Sequence, residues 1–258
     1  MVYEINAVRK NNFHSIGIIG ITIAVAFILK AYYSSADASG LQWILAPIAG
    51  VVSLITGTVF IFDPSLGYVS ERFHSVIAPV CAGVNFMIIV FCMTAVSNSK
   101  RKCHSILLLI GGALLTAYVS TILVNSFRIC TALFMYATNL HFGWFTVERL
   151  HRLSGIGIYL PALFAVNFIV KKLSNSTVKM SSFSRRAVLS KMSPVLWYLG
   201  ITVGVPVALG KYMLYRENFI EHTVAVITVC VVMFPLVLTV RKGYARLSGC
   251  RHRKEGCV

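Results

Sequence analysis

Seven apolar runs, at residues 15–31, 41–62, 77–96, 106–124, 153–170, 195–215 and 223–240, dominate this chain. Each is close to the roughly 20 residues that a helix needs to cross the hydrocarbon core of a bilayer. A backbone in hydrocarbon has to satisfy its own polar groups, so runs of this length fold as helices. The expected fold is therefore an all-α polytopic membrane protein, a bundle of about seven to eight transmembrane helices. Hydrophobic residues make up 57% of the chain and charged ones only 12%, and no segment between or after the runs is long enough to bury a core of its own. A single integral membrane domain over residues 1–258, ending in a basic tail at 241–258, is the corresponding expectation.

The formal net charge of +16 could point to nucleic acid, but its distribution argues otherwise. Fifteen of the 24 Lys and Arg fall at 100–102, 171–191 and 241–254, whereas six of the eight acidic residues lie between Asp37 and Glu221 outside those segments. Basic loops mark the cytoplasmic side of a membrane protein. No basic domain interleaved with aromatic residues accompanies the charge, so no nucleic-acid partner is expected; the bilayer itself is the expected surroundings.

Drawn from charge and length alone, the run at 77–96 ends at the cytoplasmic 100–102 cluster, 106–124 returns outward, and 153–170 runs back to Lys171 and Lys172. Residues 129–136 are too short to cross again and are expected to lie in, or dip into, the outer interface. Residues 63–75 read as a polar loop holding Glu71, Arg72 and His74. The first run reads as an uncleaved anchor, although Ala36-Asp37-Ala38 also offers a small-residue cleavage site. One count does not close. Seven spans with a cytoplasmic C-terminus put the N-terminus outside, while Arg9 and Lys10 favour the inside. Either the first span runs against the charge rule or one of the first two runs is not a simple crossing.

This topology gathers Cys81, Arg128 and His151 at one membrane face. Arg128 is flanked by apolar sequence and His151 sits at the mouth of a span, so each needs a partner or a task. A thiol beside a cation is favoured as thiolate, its pKa falling from about 8.5 to as little as ~3.5 in strong cases. A His can protonate a leaving amine and then deprotonate the incoming nucleophile. Cys, Arg and His together suffice for acyl transfer, with Arg128 serving either the thiolate or the oxyanion of the tetrahedral intermediate. Taken singly, each residue also has an ordinary reading: Cys81 as an apolar filler, Arg128 as a side chain snorkelling to headgroups, His151 as an interfacial residue. Cys130, two residues after Arg128, is a rival nucleophile, but its helical neighbours Phe127 and Phe134 suggest packing.

Other chemistry finds less support. Cys250, His252 and Cys257 fit no standard zinc spacing, and the chain has neither a G-x-S-x-G elbow nor an H-E-x-x-H pair. Gly111-Gly112 and Gly155-x-Gly157 suit close helix contact rather than phosphate binding. No metal and no cofactor is suggested.

Three segments, Pro79-Val80-Cys81-Ala82-Gly83-Val84-Asn85-Phe86, Asn125-Ser126-Phe127-Arg128-Ile129 and His151-Arg152-Leu153-Ser154-Gly155-Ile156-Gly157-Ile158-Tyr159, resemble the Cys, Asn-x-x-Arg and His-x-x-x-Gly signatures of the exosortase and archaeosortase family. The Cys-Ala-Gly-Val-Asn-Phe form is most similar to exosortase K, and the resemblance covers residues 70–170. It implies a bundle of about eight spans with an outer-facing active site. The implied activity is that of a cysteine protease or transpeptidase of the cell envelope. Its implied substrates are membrane-anchored secreted proteins carrying a C-terminal sorting signal, processed at the outer face of the cytoplasmic membrane. On this resemblance Cys81 would be the nucleophile, Arg128 the thiolate or oxyanion stabiliser and His151 the acid and base, with Asn125, Gly83 and Gly155 in support. The alternative from another class is a transporter or channel in which Arg128 and His151 line an ion or solute path, although the two halves show no convincing repeat.

Overall fold

The computed structural model describes residues 2–99, 105–138, 147–173, 193–208, 210, 219–221 and 223–232, without the side chains of 2–14, 147–152 and 208. The basic cluster at 100–102, residues 174–191, the tail at 241–258 and the ends of the last two apolar runs lie outside the described residues. The chain forms two compact units, Met1–Phe183 and Ser184–Val258.

The first unit is built from α1 (Val2–Ser35), α2 (Gln42–Thr56), a small sheet of β1 (Ile61–Asp63), β2 (Gly67–Ser70) and β3 (Ser75–Ile77), a 3-10 turn at Pro79–Ala82, and then α3 (Val84–Asn98), α4 (Ile106–Ala137) and α5 (Val147–Leu173). Four stretches are long and apolar enough to cross a membrane: Ser15–Ser35, Pro79–Asn98, Ile106–Ala137 and Leu153–Leu173. The described residues are thus those of a mainly helical membrane protein. In the second unit, Ser193–Val207, which contains a π-helical turn at Gly200–Gly204, and Phe219–Val232 are apolar but shorter.

Helix α3 is the centre of the first unit. Within the span Pro79–Asn98, 67% of the most apolar window is buried inside the protein, against 11% to 33% for the other three spans. A helix that is apolar all round belongs in the middle of a bundle, and α3 packs against α1, α4 and α5 through an unbroken buried series from Phe86 to Ala95. Helices α1 and α3 are antiparallel: Ser15 Oγ donates to Ser99 O at 3.5 Å at one end, and Lys30 Nζ donates to Asn85 Oδ1 at 2.8 Å toward the other. The end of α1 that follows Arg9 and Lys10 therefore lies beside the end of α3 that leads into the 100–102 cluster.

Three departures from the sequence reading have identifiable physical causes. The run at 41–62 is not one crossing helix. Gly57, at φ +64°, ends α2 in the left-handed conformation, with its N–H on Ser53 O at 2.9 Å. Fifteen residues at 1.5 Å each reach only ~22 Å, so α2 is not a simple crossing, one of the two ways in which the span count could have failed to close.

Residues 63–75 are not a loop, and the fold is not purely helical. A β-branched and aromatic set, Ile61, Phe62, Tyr68, Val69, Val76 and Ile77, forms an antiparallel meander in the order β1-β2-β3. Phe62 opposes Tyr68 with ring centroids 5.2 Å apart, a cross-strand pair of the stabilising kind. Asp63 Oδ1 accepts the Ser65 hydroxyl and the N–H groups of Ser65 (2.7 Å) and Leu66 (3.0 Å) and closes the first turn; these bonds, the hydroxyl's first, hold the Asp63 carboxyl below its usual range. Gly67, at φ +111°, sits where any Cβ would overlap Ile77 O.

Residues 129–136 do not leave the helix. α4 runs unbroken through Asn125 and Arg128 to Ala137, about 48 Å at 1.5 Å per residue. Nothing between Ala113 and Ala137 is Gly or Pro, and both polar side chains find partners across the bundle.

Candidate functional site

The site is assembled where the 3-10 turn meets α4 and α5. Pro79 occupies the first position of the turn, where its missing N–H costs nothing, and Cys81 N donates to Ala78 O at 2.8 Å. Cys81 is half-buried, while its neighbour Ala82 is fully buried. Gly83, at φ +71°, then swings the chain into α3, and its backbone conformation is one that residues with a Cβ enter only at a cost.

The space left by that missing Cβ is filled by Asn125. An ideal Cβ on Gly83 would lie 3.0 Å from Asn125 Cγ and 3.2 Å from Thr121 Cγ2. Asn125 is completely buried on α4, and both ends of its amide are used. Its Nδ2 donates to the carbonyl oxygen of Cys81 in a short hydrogen bond, and its Oδ1 accepts the Tyr159 hydroxyl of α5 at 2.7 Å. A buried amide is affordable when both its donor and its acceptor are matched in this way.

Arg128 stands one turn further along α4, on the same side as Asn125. Its Nη1 donates to Tyr159 Oη at 3.5 Å, and its guanidinium carbon lies 5.5 Å from the Tyr159 ring centroid. The ring is held from another side by Phe86, stacked at 4.8 Å with planes 22° apart. Gly155 makes room for the guanidinium: a Cβ there would fall 3.1 Å from Arg128 Nε. Helix α1 contributes Lys30, bound to Asn85 and 5.2 Å from the Tyr33 ring centroid.

Of the residues singled out from sequence, the structure brings Cys81, Gly83, Asn125, Arg128 and Gly155 into one connected cluster. His151 lies in α5, four residues before Gly155 and eight before Tyr159, so the three positions share a helix face; the His151 side chain lies outside the described residues. Cys130 follows Arg128 by two residues, a rotation of about 200° around the helix, and is half-buried away from this cluster. Cys250, His252 and Cys257 lie outside the described residues.

No known family model, characterised protein or solved structure matches this chain.

The cluster itself therefore carries the chemical argument. It contains a half-buried thiol on a rigid turn, a carbonyl pinned by a buried amide, and a guanidinium tied to the same amide through one phenol. Sequence reasoning named Tyr159 and Phe86 only within the resembling segments, without a task, and passed over Lys30 and Tyr33. Tyr159 had a visible signal, since it follows His151 by eight residues and Gly155 by four, and i, i+4, i+8 positions line one face. Lys30 also had one, as the sole charged residue of the span Ser15–Ser35.

Proposed function

We propose that this chain is a membrane-embedded cysteine protease or transpeptidase, of the exosortase and archaeosortase kind, that processes C-terminal sorting signals of secreted proteins at the outer face of the cytoplasmic membrane. The observation that carries the reading is the Asn125 amide. It joins the Cys81 turn, 44 residues upstream, to Tyr159, 34 residues downstream, with Arg128 on the same phenol. All three resembling segments thereby meet at one place, as an acyl-transfer site requires.

Depth supports the reading as well. Asn125 lies nineteen residues after Ile106, which at 1.5 Å per residue is ~28 Å, close to the ~30 Å thickness of the hydrocarbon core. With the 100–102 cluster and Arg9-Lys10 on the cytoplasmic side, the cluster sits at the opposite interface. A substrate anchored by its own helix would present the adjoining peptide at that level, so the bilayer would supply much of the positioning.

In this mechanism the Cys81 thiol gives its proton to His151, Sγ attacks the scissile carbonyl and the C–N bond breaks. The leaving amine takes a proton from His151, and a thioester remains. An amine or water, deprotonated by His151, then attacks the thioester and releases the product and the thiol. Arg128 stabilises the thiolate or the oxyanion.

Trapping tests the proposal. A candidate substrate is expressed with wild-type protein and with Cys81→Ala, Cys130→Ala and His151→Ala variants, and a hydroxylamine-sensitive adduct is sought. An adduct that persists in Cys130→Ala and vanishes in Cys81→Ala supports the proposal. Substrate processing that continues unchanged in Cys81→Ala overturns it, and flux assays on Arg128 and His151 variants would then test an ion or solute path.

A further inference from the structure

The Tyr159 hydroxyl takes part in two hydrogen bonds at once, and the chemistry of its neighbours sets the direction of both. Arginine can only donate, so Tyr159 Oη accepts from Arg128 Nη1 (3.5 Å). Its single proton is then directed at Asn125 Oδ1 (2.7 Å). The Cys81 carbonyl can only accept, so the amide turns its Nδ2 toward it and leaves Oδ1 for the proton of the phenol. The reversed amide would set Oδ1 against a carbonyl oxygen and Nδ2 against the phenol. The Cys81 carbonyl thus decides which way the completely buried amide faces, and the phenol completes the match by donating to Oδ1. The polarity runs one way, from guanidinium to phenol to amide to the Cys81 carbonyl, and a charge at the head of such a chain strengthens the bonds that follow it.

We infer that Tyr159 is a positioning residue of the site, coupling Arg128 to the turn that carries Cys81. The inference rests on the proposed role of Cys81 as the reactive thiol. The ring is clamped independently of its hydroxyl, by the Phe86 stack and by the guanidinium 5.5 Å from its centroid. Tyr159→Phe therefore deletes the two hydrogen bonds and leaves the packing in place. Asn125 Oδ1 then loses this donor, which loosens the hold on the amide bound to Cys81 O, and Arg128 loses its acceptor on this phenol.

The test needs no substrate. The full-length protein in detergent is exposed to N-ethylmaleimide at neutral pH, and labelling of Cys81 and Cys130 is followed peptide by peptide by mass spectrometry. Cys130, on the far side of α4 from the cluster, is an internal control in every sample. Tyr159→Phe is expected to slow Cys81 labelling at least fivefold and to leave Cys130 unchanged. In an Asn125→Ala background, where the chain is already cut, Tyr159→Phe is expected to change Cys81 labelling less than twofold. A purely structural role would lower thermal stability without this selective, non-additive effect. Unchanged or faster Cys81 labelling in Tyr159→Phe, or effects that multiply with Asn125→Ala, would overturn the inference. Labelling is read apart from processing, so a substrate assay insensitive to Cys81→Ala would sink the proposed function alone. A Cys81-dependent activity with wild-type labelling in Tyr159→Phe would sink the coupling role alone.

Discussion

Replacing Gly83 with Ala measures how closely the Cys81 turn is fitted to α4, and Gly57 supplies the matched control. Both glycines adopt left-handed conformations, at φ +71° and +64°. An alanine in that region costs about 1–2 kcal/mol through its own backbone contacts. At Gly57 nothing else lies within 4 Å of the added Cβ, so Gly57→Ala should lose no more than that. At Gly83 the Cβ would stand 3.0 Å from Asn125 Cγ, tighter than nine in ten real Cβ contacts, and Asn125 has little freedom to yield. Moving it breaks the bond to Cys81 O or the bond to Tyr159, and leaving one such buried group unsatisfied costs a further ~1–3 kcal/mol. Gly83→Ala should therefore destabilise by about 2–5 kcal/mol, and it should also impair the site, which Gly57→Ala should not. Unfolding titrations in mixed detergent–SDS micelles give the stabilities, and maleimide labelling of Cys81 gives the state of the site. Equal losses in the two variants, with Cys81 labelling unaltered, would refute the argument that Asn125 seals the turn.

Further outcomes follow from neighbouring contacts. Gly155→Ala places a Cβ 3.1 Å from Arg128 Nε while gaining up to ~1 kcal/mol of helix propensity; in a processing assay it should lose activity tenfold or more at unchanged or higher stability, since small misplacements at a reacting centre are costly. Asn125→Ala leaves both the Cys81 carbonyl and the Tyr159 hydroxyl without this partner and should cost on the order of 2–4 kcal/mol in the same micelle titration. Asp63 is held below the usual aspartate range chiefly by its hydrogen bond with the Ser65 hydroxyl, then by the Ser65 and Leu66 N–H groups. A carboxyl depressed by folding stabilises above its unfolded pKa and loses that contribution as pH falls through the folded value. Hydrogen exchange at the Ser65 and Leu66 amides should therefore lose protection at acid pH below the ordinary aspartate range, and Asp63→Asn should remove that pH dependence.

Much of the site was legible from residue type and order. Arg128 stood out because a charged side chain beside hydrocarbon needs a reason, and Cys81 because charge and length put it at the same face; Asn125 and Gly155 were singled out through the segments that carry the resemblance, and three of the four spans are centred on runs that composition alone picks out. Gly83 drew notice through its segment, but its task, sealing the turn against Asn125, needed the coordinates. Tyr159 was overlooked because a tyrosine in an apolar run reads as packing until its hydroxyl is seen to have two partners.

What the sequence by itself determined is the set of apolar helices, because the transfer of a run of side chains into lipid depends only on that run. It also determined where chemistry was to be sought, since a buried Arg or Asn is expensive wherever it lies. The tertiary structure alone decided that α4 passes straight through Asn125 and Arg128, that α2 stops at Gly57, and that residues 61–77 pair as strands. The first depends on partners distant in the chain, the second on the left-handed conformation of Gly57, and the third on strands paired across tight turns. Asn125 is tolerated inside a continuous helix because Cys81 O and Tyr159 satisfy it, and the strands exist because Phe62 meets Tyr68 and Val69 meets Ile61 and Val76 in a register that alternation of residue type alone does not fix.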